Sequence, residues 1–146
     1  MTQVAEGAQE AGAEIIGVIP QRIVSSGRES NTVTQQIYVN NMAERKQNMR
    51  LLADLFVVFP GSYGTMDELF DVMASGTVGE HHKPLILFNL NNFYTDLIHQ
   101  LQHMRQEDFI PAQPTYQYLL VQTLDELCRT IETITTKSGP KHQSTT

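Results

Sequence analysis

Short apolar runs alternate along this chain with stretches whose apolar residues fall at helical spacing. Glu14 to Pro20 carries a nearly continuous apolar run, the pattern of a strand covered on both faces. Gln35 to Val39 is a shorter strand candidate, and Leu55 to Phe59, Leu85 to Phe88 and Tyr116 to Val121 complete the set. Val4, Ala8 and Ala11 share a helical face, and Gly12 suits the end of that helix. Asn40 or Asn41 can cap a helix from Met42 to Leu52, in which Met42, Met49 and Leu52 line one side with Arg45 between them. Further helices are predicted from Met66 to Val78, from Asn91 to Met104 and from Thr123 to Ile134. Tyr94, Leu97, Ile98 and Leu101 form the buried stripe of the second of these. Gln21 to Thr34 reads as a long polar loop, and Lys137 to Thr146 as a polar, disordered tail. Strand and helix in alternation predict an α/β domain over residues 1–136, with a mainly parallel sheet flanked by helices.

One junction in this pattern carries candidate chemistry. The run Leu55 to Phe59 passes through Pro60-Gly61-Ser62-Tyr63-Gly64-Thr65 into a helix bearing Glu68. A strand that ends in small residues and opens a helix aims several unpartnered N–H groups at one spot, and the helix dipole makes that spot attractive to anions. The reading is a phosphate site beside a carboxylate. The same residues also fit a plain tight turn, since glycine commonly serves that role. Thr65 and Glu68 fit a capping box, as do Thr123 and Glu126, where no glycine loop precedes.

Glu44-Arg45-Lys46 opens another helix, with two cations near the positive end of its dipole. Arginine there suits a two-point grip on a phosphate or carboxylate. Adjacent His81 and His82 lack the further ligands of a metal set, so no metal site is expected. Cys128 reads as a packed or half-buried thiol.

Length and charge narrow the class. The 146 residues suffice for one domain with a real core, and a net charge of −6 argues against a general binder of nucleic acid or membrane surfaces. A single cysteine leaves no disulfide framework. No apolar run reaches membrane-crossing length, and a cytoplasmic location is expected.

Two segments, in this order and at this spacing, go further. Met42-Ala43-Glu44-Arg45-Lys46-Gln47-Asn48-Met49 and Pro60-Gly61-Ser62-Tyr63-Gly64-Thr65-Met66-Asp67-Glu68 resemble the paired signatures of the LONELY GUY family. These are cytokinin riboside 5′-monophosphate phosphoribohydrolases, long labelled possible lysine decarboxylases, with patterns close to M-H-x-R-K-x-x-M and P-G-G-x-G-T-x-x-E. The resemblance runs from Thr2 to about Ile134 and also takes in Gly17 to Pro20, Lys83-Pro84 and Asp108 to Ile110. It implies a Rossmann-like fold, a homodimer, and hydrolysis of the N-glycosidic bond of a nucleoside 5′-monophosphate, AMP or an N6-modified AMP. The products would be the free base and ribose 5-phosphate, with no metal or organic cofactor. By motif position Arg45 and Glu68 match the catalytic pair. Gly61, Gly64 and Thr65 match the phosphate-binding loop, with Ser62 inside it, and Lys46 matches the lysine beside the arginine. The alternative is a relative that binds a nucleotide or phosphate without turnover. Lysine decarboxylation would need a pyridoxal-linked lysine, and no lysine here has such a context.

The chain departs from the family pattern at Ser62 (a glycine in the family), Ala43 (commonly His) and Ser75 (commonly Trp). The family also has an N-terminal strand-helix-strand portion with another glycine-rich loop, and Met1-Thr2 aligns inside that loop. The expectation is therefore the C-terminal part of a family domain, lacking sheet strands and one wall of the site. Exposed apolar edges would then make an isolated monomer poorly stable, and tight dimerisation would compensate.

Overall fold

The computed structural model describes residues 2–24 and 33–138. The chain divides into two compact units, one ending at Ala53 and the other starting at Asp54.

The first unit begins with α1 (Thr2–Glu10). Gly12 closes it in the left-handed region, φ 74°, while the Ala13 N–H reaches back to the Ala8 carbonyl at 2.9 Å, as a glycine-ended helix should. Strands β1 (Ile16–Pro20) and β2 (Gln35–Val39) pair in parallel, Ile16 opposite Gln35 through Pro20 opposite Val39. The Thr34 hydroxyl fastens their start, accepting the Ile15 N–H at 2.7 Å and donating to the Ile15 carbonyl at 3.0 Å. The long loop expected after Pro20 is corrected at its start. Gln21–Val24 form a short helix, α2, because polar residues such as Gln and Arg resist burial but not helical geometry. Residues 25–32 of that loop lie outside the described ones. Helix α3 (Met42–Leu52) matches its predicted span. Its expected apolar face is looser than foreseen, since Met42 and Leu52 are exposed while Met49 is half-buried.

The second unit holds the main core. Strands β3 (Phe56–Val58), β4 (Leu85–Phe88) and β5 (Tyr118–Val121) form a parallel sheet in the order β3-β4-β5. The central strand is buried along its whole length. Because side chains alternate across a strand, β4 feeds two cores. Leu85 and Leu87 pack with Leu69 and Val72 of α4 (Tyr63–Thr77), and with Tyr94 and Ile98 at and in α5 (Thr95–Gln106). Ile86 and Phe88 pack on the opposite face with Val121 and Leu127, the latter on α6 (Leu124–Ser138). Each such side chain removed from water contributes about 1.5–3 kcal/mol. A sheet with helices on both faces explains why β4 reads as an unbroken apolar run.

Helix α5 starts later than its pattern suggests. A 3-10 turn at Leu90–Asn92 precedes it, with Asn91 and Asn92 at φ 51° and 60°. Asparagine tolerates this left-handed backbone, so the two asparagines form a turn instead of opening the helix. Helix α6 runs on to Ser138, and residues 139–146 of the expected tail lie outside the described ones. The chain is thus α/β and Rossmann-like, with parallel strands and helices between them. Among the described residues, no helix is long and apolar enough to cross a membrane.

Candidate functional site

The turn from β3 to α4 is built around two glycines with different reasons to be there. A Cβ on Gly61 would lie 2.0 Å from the Thr65 hydroxyl oxygen, so the chain itself requires glycine at this position. A Cβ on Gly64 would meet nothing within 4 Å. Gly64 nevertheless sits in the first turn of α4, where glycine is the less favourable helix former. The room left by its missing side chain lies on the outside, where something can approach the backbone closely.

Helix α4 begins at Tyr63, three residues before the apolar pattern indicates, and Ser62 is its N-cap. The Ser62 backbone is extended, φ −100° and ψ −160°, which any residue adopts. Serine at the family's glycine position is therefore unstrained. Its hydroxyl makes no capping bond to the helix. The first intrahelical bond runs from the Met66 N–H to the Ser62 carbonyl at 3.1 Å. The N–H groups of Tyr63, Gly64 and Thr65 consequently have no acceptor within the helix. With the dipole's positive end, they make a local anion-attracting site.

Glu68, half-buried, follows four residues after Gly64 and three after Thr65, which puts it on their side of the helix. The start of α4 also settles the capping question. Thr65 is already inside the helix, so Thr65 and Glu68 form no capping box. Thr123 and Glu126 do. The Glu126 carboxylate accepts the Gln122 and Thr123 N–H groups at 2.7 and 3.3 Å, and the Thr123 hydroxyl accepts the Glu126 N–H at 3.2 Å. Two identical tetrapeptide patterns thus stand in different places, one at the start of a helix and the other inside one.

Arg45 and Lys46 belong to the first unit. Helix α3 starts on a reciprocal cap: Asn41 Oδ1 accepts the Glu44 N–H at 2.9 Å, and the Glu44 carboxylate accepts the Asn40 N–H at 2.8 Å. The Asn40 amide adds two more bonds to that carboxylate, at 3.0 and 3.1 Å. The Asn40 backbone N–H, then its side chain, hold the Glu44 carboxyl below its ordinary value, against a weak opposing effect of burial. One residue on, the half-buried Arg45 donates from Nε to the Val18 carbonyl of β1 at 3.1 Å. The guanidinium is thereby oriented by the strand, as the sequence reading of a helix face turned toward its unit implied. Lys46 is half-buried. The structure brings Gly61, Ser62, Gly64, Thr65 and Glu68 together in one unit and Arg45 with Lys46 in the other.

Other candidates have structural uses. His81 accepts the Lys83 N–H on Nδ1 at 3.3 Å, so its proton sits on Nε2, which faces the Val72 carbonyl at 3.0 Å. The ring packs edge-on to Tyr116, centroids 5.0 Å apart, and pins the loop after α4. Among the described residues, no group of three or more His, Cys, Asp or Glu is placed to hold a metal ion. Cys128 is exposed, not packed as expected, because its position on α6 lies off the stripe that Leu127, Ile131 and Ile134 turn toward the sheet. One residue near the turn was legible only as core: Tyr94, whose phenol donates to the Phe59 carbonyl at 2.6 Å. The available signal was chemical, since a tyrosine on an apolar stripe needs a partner for its hydroxyl.

Comparison with known proteins gives a family and named relatives. A family model described as possible lysine decarboxylase matches residues 1–131. A rice protein (Oryza sativa subsp. japonica) named probable cytokinin riboside 5′-monophosphate phosphoribohydrolase LOGL9 is 35% identical over 125 residues, covering 86% of this chain and 54% of the relative. A second from the same plant, LOGL2 of the same name, is 31% identical, covering 98% and 57%. An Arabidopsis thaliana protein named cytokinin riboside 5′-monophosphate phosphoribohydrolase LOG5 is 30% identical, covering 90% and 58%. The chain therefore spans somewhat over half the length of these relatives.

Proposed function

This chain belongs to the LONELY GUY family, which also carries the description possible lysine decarboxylase, and on that footing we propose that it is a nucleotide phosphoribohydrolase. Its substrate is AMP or an N6-modified AMP, and its working domain is residues 1–136. Water adds at the ribose C1′ as the bond to the base nitrogen breaks. The hydroxyl stays on C1′ and a proton goes to the departing base, giving free base and ribose 5-phosphate. The observation that supports this most directly is the β3–α4 turn, where three N–H groups lack helical acceptors and Glu68 follows on the same side of the helix.

Each residue has a role that its chemistry fits. The N–H groups of the turn, the Ser62 hydroxyl and Thr65 take the 5′-phosphate, and the absence of a side chain at Gly64 lets it approach. Breaking a glycosidic bond builds positive charge on the ribose. The Glu68 carboxylate stabilises that charge, holds a ribose hydroxyl or activates water. Arg45, oriented by its bond to Val18, and Lys46 supply cations for the phosphate and the leaving base. None of these steps asks for a metal or an organic cofactor. A homodimer in the cytoplasm goes with this reading. Exposed Leu51, Val78 and Phe109 supply apolar surface for self-association.

A second reading, nucleotide binding without turnover, needs only the anion-attracting N–H groups at the start of α4. Incubation with AMP separates the two. Release of adenine and ribose 5-phosphate, reduced at least about 10²-fold by Glu68→Gln with an unchanged melting temperature, is the expected outcome. An AMP-dependent rise in melting temperature without free base would favour binding alone. Equal activity of wild type and Glu68→Gln would remove Glu68 from the mechanism.

A further inference from the structure

Tyr94 lies at the base of the second unit's core, 2% exposed, yet its hydroxyl reaches a backbone atom 35 residues away. That atom is the Phe59 carbonyl, the last one before Pro60 and Gly61. The Tyr94 backbone is held by a second buried polar residue. Asn89, also 2% exposed, directly follows β4 and donates its N–H to the Val121 carbonyl of β5 at 2.8 Å. Its side-chain oxygen accepts the Tyr94 N–H at 2.7 Å. Its carbonyl accepts the Asn92 N–H at 3.2 Å, which closes the left-handed Asn91-Asn92 turn that delivers Tyr94. The Phe93 ring stands edge-on to Tyr94, centroids 4.9 Å apart. A hydrogen-bonded line thus runs from β5 through Asn89 and Tyr94 to the end of β3.

Burial pushes the Tyr94 phenol above its ordinary value, and the nearby Gly61 backbone works against it. The outward N–H groups of the turn are those of Tyr63, Gly64 and Thr65. Glycine at position 61 is itself forced by Thr65, so a shift of this segment would move the Thr65 side chain as well.

We propose that Tyr94 is a positioning residue for the phosphate-binding turn: its hydroxyl holds the Phe59 carbonyl just before Pro60 and so sets where the outward N–H groups point. The inference rests on the reading of this turn as the phosphate site. It adds a residue that neither motif contains.

Tyr116 provides an internal control. Its hydroxyl also donates to a backbone carbonyl, that of Lys83 at 2.7 Å, in the same unit but on the loop after α4. Tyr94→Phe and Tyr116→Phe each remove one such bond and keep the ring. Amide hydrogen exchange on the full chain reads the clamp without any ligand. Tyr94→Phe is expected to speed exchange at Met66, whose N–H is bonded to the Ser62 carbonyl at the end of the turn, about tenfold, the effect of losing one hydrogen bond, while Tyr116→Phe leaves that amide unchanged. With AMP as substrate, Tyr94→Phe raises KM about tenfold with kcat within twofold of wild type, and Tyr116→Phe changes neither. Unchanged exchange at Met66 in Tyr94→Phe, or the same exchange and KM changes in both variants, would overturn the proposal. If the exchange effect holds but wild-type protein neither cleaves AMP nor gains melting temperature from AMP or inorganic phosphate, the clamp stands and the phosphate reading of the turn falls.

Discussion

Two glycines in one helix give opposite forecasts. Alanine normally stabilises a helix relative to glycine. At Gly64 the added Cβ meets nothing, so Gly64→Ala is expected to raise stability by up to about 1 kcal/mol. The same methyl would stand where the proposed phosphate approaches the backbone, and KM for AMP is expected to rise at least about tenfold. Thermal melts and steady-state kinetics on one preparation check both. A gain in stability with unchanged KM would show that no ligand uses that space. At Gly76 the Cβ would lie 2.5 Å from the Tyr116 ring. Gly76→Ala should therefore cost about 1–3 kcal/mol by overpacking, read as a lowered urea midpoint. Sequence shows both as glycines in a helical pattern. Only the neighbours, brought from elsewhere in the chain, separate a ligand-facing glycine from a packing one. The same holds for Glu68 and Glu126, whose surroundings T-x-x-E cannot distinguish until the start of each helix is known.

Elements were the more legible scale. The spans Gln35 to Val39, Met42 to Leu52 and Leu85 to Phe88 agree with the structure at both ends, because each is bounded by a polarity change and a capping or turn residue. Starts were less secure where a turn imitates a helix or a helix begins in small residues. Helix α4 starts at Tyr63, inside a stretch that reads as loop, and α5 starts at Thr95 behind two asparagines in left-handed conformations. The cap of α3 carries a pH forecast. The Glu44 carboxyl is held below its ordinary value of 4.5, so the folded state favours the ionised form. Its contribution is present above that value and is lost as pH falls through the lowered folded value. Amide exchange at Asn40 and at the first turn of α3 should therefore quicken in that acid window, and Glu44→Gln should flatten the dependence. An Asn40 amide whose exchange follows only the intrinsic pH trend would refute this role for the carboxylate.

For the whole molecule, alternation of strand and helix indicates α/β architecture, and the parallel pairings of β1 with β2 and of β3-β4-β5 agree. What alternation does not convey is which strand is central. That follows from β4 being apolar at every position, a pattern intelligible only when both faces are covered. Arg45 with Lys46 and the turn with Glu68 belong to separate compact units, so the pairing of the two motifs comes from family likeness while the local form of each comes from the structure. On the proposed function, a 5′-phosphate held by the β3–α4 turn positions the bond that is cut. The direct measurement is adenine release from AMP and from adenosine at matched concentrations. The expected outcome is equal amounts of adenine and ribose 5-phosphate from AMP, and release from adenosine at least about 10²-fold slower, since charge-assisted bonds to the phosphate contribute about 1.5–3 kcal/mol each. Equal rates from the two, or no adenine from AMP, would contradict it.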